Sequence, residues 1–357
     1  LFFFSLNNQI IAKGDEVSII TKFGIDKNKF GNYTNYRAFI TENSNTQLGF
    51  DGDLKFYEDN SINVAYGIEH LNDKLYVTDC PNSIVKVFDI QGNFLYNLSE
   101  KYNIPKPEYP SGITSDGKNT LYIIEEKDSR LIVLNIDTGD YSYVEYVRDK
   151  NRKIKFDNPL SIDFLNDKLF LTDTQNNRIL IFDTNYKLIE NFNTFRIEYK
   201  NILNLDKSSD YKVSFPYYIR ALSDDHFISN ISGWNRYVEL KIYKENGLKF
   251  LKALNIFGNK TSEAVDRSPA WIYDVGLDAP NDLIYIDSIK KLILTNSNTN
   301  SLLFFDKIND TWEFDQEINQ ENVKVLEYFE SDGKIFLVAY GVSYESGLGV
   351  ITLYELS

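Results

Sequence analysis

The chain has 357 residues, with 38 Lys and Arg against 52 Asp and Glu, a formal net charge of −14, and 43% hydrophobic and 15% aromatic residues. That negative balance argues against nucleic acid or an anionic membrane surface as a partner, because binding there relies on Lys and Arg to neutralise phosphates. No apolar run approaches the roughly 18 residues of a membrane-spanning helix, so no membrane insertion is expected, and the single cysteine, Cys80, excludes an intrachain disulfide.

Along the chain, residues 1 to 23 come first. LFFFSLNN reads either as the remnant of a signal-peptide core or as one strand of a pair, and Glu16 to Phe23, EVSIITKF, has strand composition. Residues 24 to 64 are expected to form a long loop, with a hairpin of 36–41 against 53–57. If that hairpin grew into a full sheet it would add a seventh repeat to the six described next.

From residue 65 onward the chain repeats itself. LNDKLYVTDCPNSIVKVFDIQGNFL at 71–95 returns as LNDKLFLTDTQNNRILIFDTNYKLI at 165–189, and weaker copies begin at Ser115, Ser223, Ser288 and Ser331. Each copy opens with a polar turn, runs through an apolar segment and stops at Asp79, Glu125, Asp173, Asn230, Asn296 or Tyr340. A loop of small polar residues, a second apolar run and a weaker third one follow. Runs of Val, Ile, Leu, Tyr and Phe bounded by Asn, Asp, Gly and Ser are strand signals. Pro110, Pro159, Pro216 and Pro280 stand ahead of one further short strand per copy. Proline is tolerated at the first residue of a strand, where its missing N–H lies outside the ladder.

Four strands in each of six copies, at a period of about forty to fifty residues, predict a single all-β domain over residues 1–357, a six-bladed β-propeller of antiparallel blades. The blades are expected at 65–97, 110–144, 159–193, 216–253, 280–315 and 323–356. A two-sheet sandwich has difficulty with the period. The last copy is one strand short, and Glu16 to Phe23 is the natural donor of the missing strand, which would close the ring without an open edge.

TDTQNNRILIFD at 172–183, behind NPLSIDF at 158–164, resembles the NHL-type propeller repeat, whose usual form has a Pro-Gly-Ile-Ala start and a core like A-D-T-G-N-H-R-I-Q-V-F-D. The fit is good at 65–96 and 158–190, fair at 109–141 and weak in the last three copies. The resemblance implies a six-bladed ring and carries no activity, since propellers of this type serve unrelated functions.

Catalytic constellations are scarce. His70 and His226 fall in different copies, no Ser sits in a nucleophile elbow, and no phosphate-cradling glycine loop is present. No catalytic residue and no resident metal or other cofactor is therefore assigned. Asp51, Asp53, Glu58 and Asp59 offer oxygen ligands suited to Ca²⁺ but lack the order of a calcium loop. Glu125, Asn230 and Asn296 lie at equivalent positions and could imitate the channel metal set of propeller lactonases. Turn chemistry is the expected use of the position, with Asp79 and Asp173 accepting from backbone N–H groups of the loops that follow them.

The connections between copies are long, near 97–109, 142–158, 191–214 and 246–279, whereas the turns inside them are short. Long loops on a rigid scaffold are where binding usually resides. Trp234 and Arg236 in ISGWNRY, with Tyr217, Tyr218 and Trp271 around them and Arg152 and Lys153 of a basic loop at the rim, are the candidate binding residues, since Trp, Tyr and Arg dominate interface anchors. The expected function is a non-enzymatic propeller docking another protein through this loop-rich face. A composition rich in Asn, Ile, Lys, Tyr and Phe points to an AT-rich bacterial genome, and an envelope-attached, periplasmic or secreted location is expected. The alternatives are a metal-dependent hydrolase or lyase of the lactonase type, and a glycan-binding protein.

Overall fold

The computed structural model describes residues 17–23, 62–198, 208–231, 236–258, 272–274, 280–309, 311–320, 322–342 and 349–356. The expected 36–41 and 53–57 hairpin and the Asp51 to Asp59 carboxylates lie outside these residues. The repeats fold as six antiparallel sheets in a ring, a six-bladed β-propeller. Blade 1 runs from Ala65 to Asn97, blade 2 from Pro110 to Val144 and blade 3 from Pro159 to Phe192. Blade 4 spans Pro216 to Gly258, blade 5 Leu283 to Asn319 and blade 6 Val323 to Leu356.

Turn chemistry sets the blades locally. In both strong copies the Asn-Asp pair, Asn72-Asp73 and Asn166-Asp167, has positive φ at both residues. This is the twist a two-residue hairpin needs. Pro110, Pro159 and Pro216 are the first residues of innermost strands, as expected, while Pro280 precedes its strand by three residues. The register shifts early in the innermost strand, at Ala65/Gly67, Pro110/Ile113, Pro159/Ile162, Pro216/Ile219 and Val323/Val325. Such bulges re-aim side chains where strands converge on an axis.

Packing lies between the blades. Six apolar clusters appear among the described residues, one in each interface, from Phe88 with Val338 between blades 1 and 6 to Phe170 with Phe227 between blades 3 and 4. Inner strands approach closely where side chains are absent. A Cβ on Gly67 would lie 2.7 Å from the Ser111 carbonyl oxygen and one on Gly112 2.8 Å from that of Leu160, so both positions require glycine. Thr78 and Thr172 carry the ladder across blades, donating to the carbonyls of Ser111 at 2.8 Å and Tyr217 at 3.3 Å.

The Asp that ends the second strand is buried, and its partners differ from those the sequence suggested. Asp173 accepts the Asp157 backbone N–H at 2.7 Å, from the segment ahead of its own blade, and then the side chains of Asn176 and Arg178. Asp79 likewise accepts from the N–H groups of Asn63 and Val64 and pairs with buried Lys86 at 3.3 Å. The carboxylate thus ties the chain entering a blade to the loop that follows its second strand. The loop itself offers side chains rather than backbone donors.

The ring closes through the N-terminal segment. Val17–Phe23 is the outermost strand of blade 6, antiparallel to Gly349–Leu356 from Val17 opposite Leu356 to Phe23 opposite Ile351. Removing residues 1–23 strips the ladder from Gly349–Leu356 and opens one sheet edge to another chain; the truncated protein should melt lower and form oligomers in sedimentation, and an unchanged monomer with the parental melting temperature would place the closure elsewhere. Asp173→Ala leaves three donors without their acceptor, a loss of about 2–4 kcal/mol. This should appear as a lower denaturant midpoint at unchanged m-value.

Candidate functional site

The long connections between blades fold against the flank of the ring. Tyr146–Asp149 and Arg152–Lys155 form a hairpin between blades 2 and 3, with Val147 and Phe156 buried in the interface cluster and Ile154 against it. Its Arg148 N–H donates at 2.8 Å to the Tyr186 carbonyl, in the turn between the third and fourth strands of blade 3. Thr194–Glu198 and Ser208–Lys212 form a second hairpin, and the first of its strands runs parallel to the outer strand of blade 4 at Leu251 and Lys252. The outer edge of blade 4 is thereby covered in part, which hinders strand addition there.

The predicted binding residues are dispersed by this arrangement. Arg236 is 1% exposed, because it opens the third strand of blade 4, paired with Ile231, instead of belonging to the loop-rich face. Tyr218 is buried in the channel, its hydroxyl donating at 3.4 Å to the Tyr66 carbonyl of the opposite blade, and half-buried Tyr217 lies beside it with ring centroids 6.2 Å apart. Arg152 and Lys153 are exposed on the flank hairpin, with the Lys153 ammonium 4.3 Å from the centre of the Tyr146 ring. Trp234 and Trp271 lie outside the described residues. An exposed anchor role for Arg236 and Tyr218 is therefore corrected to interior packing.

Of the positions considered for a metal, Glu125 and the Asn230 amide nitrogen make contacts within the protein, while the buried Asn230 amide oxygen has no hydrogen-bond partner among the described residues. Glu125 pairs with Arg130 at 2.7 Å, and the Asn230 side-chain amide donates to the carbonyls of Pro280 and Asn281. His226 bonds Glu239 at 2.7 Å, and His70 stacks on Phe329 with centroids 4.5 Å apart, so the two histidines serve separate structural contacts. Among the described residues no group of three or more His, Cys, Asp or Glu converges as a metal site.

The side chains that do converge belong to the innermost strands. Arg220 of blade 4 sits in the channel among Asp282 at 3.4 Å and Asp163 and Glu327 at 3.7 Å. Its guanidinium also donates to the carbonyls of Leu283 at 3.1 Å and Leu326 at 2.8 Å, so one side chain spans blades 3, 5 and 6. Asp163 accepts the Ala221 N–H at 2.7 Å, Asp282 accepts the Leu326 N–H at 2.9 Å, and Glu69 accepts the Ser115 hydroxyl at 2.5 Å. Above this cluster lies a cavity of about 550 Å³. Ser115 to Gly117 and Leu165-Asn166, at turns between first and second strands, form part of its wall. The cavity therefore opens on the short-turn face, away from the Tyr218 to Tyr66 bridge.

Sequence reasoning missed this cluster, although a signal existed. By pairing register, Ile68, Ile113, Ile162, Arg220, Leu283 and Glu327 are equivalent, as are Glu69, Thr114, Asp163, Ala221, Ile284 and Tyr328. Charges at positions that are uncharged in the other copies mark the channel. Burial pushes the carboxyls of Glu69, Glu327, Asp163 and Asp282 upward, with Arg220 opposing the shift in all four.

No protein-family profile and no curated protein matches the sequence. Solved structures match in fold. A gluconolactonase from Xanthomonas campestris superposes with a TM-score of 0.55 at 9% identity, over 83% of this chain and 87% of that one. An auxiliary nutrient binding protein from Bacteroides thetaiotaomicron gives 0.50 at 8% identity over 82% and 69%, and a streptogramin B lyase 0.46 at 16% over 83% and 94%. The resemblance to NHL-type repeats stands at the level of this shared six-bladed ring.

Glu327 carries a measurable consequence. Its carboxyl, facing Arg220, Asp163 and Asp282 and paired with Glu69, is raised from 4.5 to about 7. Between those values the folded chain keeps a proton that the unfolded chain has lost, so this group's contribution to stability falls as pH rises through the window and is level above it. Glu327→Gln removes that titration. Its melting temperature relative to the parent should rise between about pH 5 and pH 8, by the equivalent of roughly 1–3 kcal/mol, and a difference constant with pH would show an ordinary carboxyl.

Proposed function

We propose that the protein is a non-enzymatic binding propeller that docks another protein, of acidic surface, along the side of the ring that carries the hairpin Tyr146–Lys155, in a bacterial envelope or after secretion. The observation that carries this is the hairpin's division of labour. Val147, Ile154 and Phe156 clamp it to blades 2 and 3, while Arg148, Lys150, Arg152, Lys153 and Lys155 are exposed. Five outward cations outnumber the carboxylates of Glu145, Asp149 and Asp157 on the same segment, which leaves it net positive on a chain of net charge −14. Rigid attachment means that little ordering entropy is lost when a partner docks. Exposed Tyr141, in the last strand of blade 2, extends the surface with an aromatic ring.

Hydrolysis of the lactonase kind, which the name of the Xanthomonas neighbour would suggest, finds less support. It would need Glu, Asn and Asp from several blades directed at one ion, and Glu125 is instead paired with Arg130 at 2.7 Å.

The test is retention of partners from extracts of the native host on the immobilised protein. Exposed charges act chiefly on association rate and its salt dependence, so Arg152→Glu with Lys153→Glu should release the main partner at distinctly lower salt, at unchanged melting temperature, and that partner should be acidic. Release at the parental salt concentration would remove the hairpin from the interface.

A further inference from the structure

We propose that the channel cavity on the short-turn face is a binding site for a small organic cation, a protonated or quaternary amine bearing an apolar group. This goes beyond partner docking and uses a different part of the molecule.

Three features of the cavity converge on that ligand class. Its size, about 550 Å³, is in the range of small-molecule sites, roughly 300–1,000 Å³. Its wall is aromatic on one side, with Phe164, Tyr285, Tyr328 and the stacked pair His70 and Phe329. Its floor carries Glu69, Asp163 and Glu327 against one cation, Arg220. Arg220 is already engaged by the carbonyls of Leu283 and Leu326 and by Asp282 behind the floor.

Glu327 is the sharpest indicator. It is 8% exposed and lines the cavity, yet only its Oε1 accepts a hydrogen bond, from the Tyr328 N–H. The Oε2 atom faces the Arg220 guanidinium at 3.7 Å, beyond hydrogen-bond reach. The cavity wall thus holds a carboxylate oxygen with no hydrogen-bond donor among the described residues, and an ammonium entering from the mouth supplies both a donor and a counter-charge. The aromatic rings of the wall offer apolar contact to the organic group of such a ligand. An organic cation suits the site better than a metal ion, because among the described residues the carboxylates do not converge as metal ligands while five aromatic side chains line the wall. The mouth also carries Asp116 and Glu330, which draw positive charge inward.

The test is isothermal titration of the full chain at about pH 8, above the value of about 7 to which the Glu327 carboxyl is raised, with 2-phenylethylammonium, 2-phenylethanol and phenylacetate, three probes of one shape and different charge, followed by choline, putrescine and calcium chloride. The ammonium should bind one to one, the alcohol at least about tenfold more weakly, the loss of one charge-assisted hydrogen bond, and the carboxylate not measurably. Glu69→Gln and Glu327→Gln should each weaken ammonium binding by about tenfold, while Arg152→Glu with Lys153→Glu leaves it unchanged, which separates this site from the docking surface. Should one glutamine variant fail to fold, the other decides. Equal binding of alcohol and ammonium, tighter binding of calcium than of any amine, full affinity in a folded glutamine variant, or no heat from all three organic cations at millimolar concentration would each overturn the proposal.

Discussion

One guanidinium governs the centre of this ring. Six inner strands converge on the axis, and the short-turn half of the channel brings Asp163, Asp282 and Glu327 near Arg220 from three neighbouring blades. Without a shared counter-charge, that many buried carboxylates would repel one another and remain protonated. Arg220 opposes both effects, and its donation to the carbonyls of Leu283 and Leu326 fixes blade 4 against blades 5 and 6. A lysine would carry the charge but could not fork towards two carbonyls and three carboxylates from one plane. The same arrangement leaves the cavity floor negative, so the element that stabilises the channel also gives the cavity its character.

At the other end of the channel the physics is steric. Gly67 and Gly112 allow adjacent inner strands to touch, and Tyr218 reaches across to the Tyr66 carbonyl. The two halves of the channel therefore differ in kind, one closed by an aromatic bridge and the other open and charged. In five of the six blades a bulge in the innermost strand separates its first residues from its last ones.

Outside the ring, the insertions answer the edge problem of β-structure. Blade 4 gains Thr194–Glu198 along the outer strand, and the gap between blades 2 and 3 is covered by the basic hairpin. Inter-blade length in the sequence reads naturally as a loop-rich binding face. Part of it becomes flank, because Thr194–Glu198 pairs with the outer strand of blade 4 and the basic hairpin buries its apolar side between blades 2 and 3. Val147, Phe195 and Ile197, all buried, are the residues that decide this.

The repeat, its strands and the number of blades were legible in the sequence, since hydrophobic runs, turn residues and spacing are local properties that recur in every copy. Closure by Glu16 to Phe23 was legible for the same reason, as an unpaired strand at one end and a missing one at the other. The donors to Asp173 were not. The Asp157 N–H lies 16 residues away, and only the fold brings it within 2.7 Å. The burial of Arg236 and Tyr218 and the convergence of Glu69, Asp163, Arg220, Asp282 and Glu327 were likewise decided by tertiary structure. Periodicity says which residues share a strand position, whereas which charges meet depends on how six separate strands are aimed at one axis, and no segment of the chain holds that information alone.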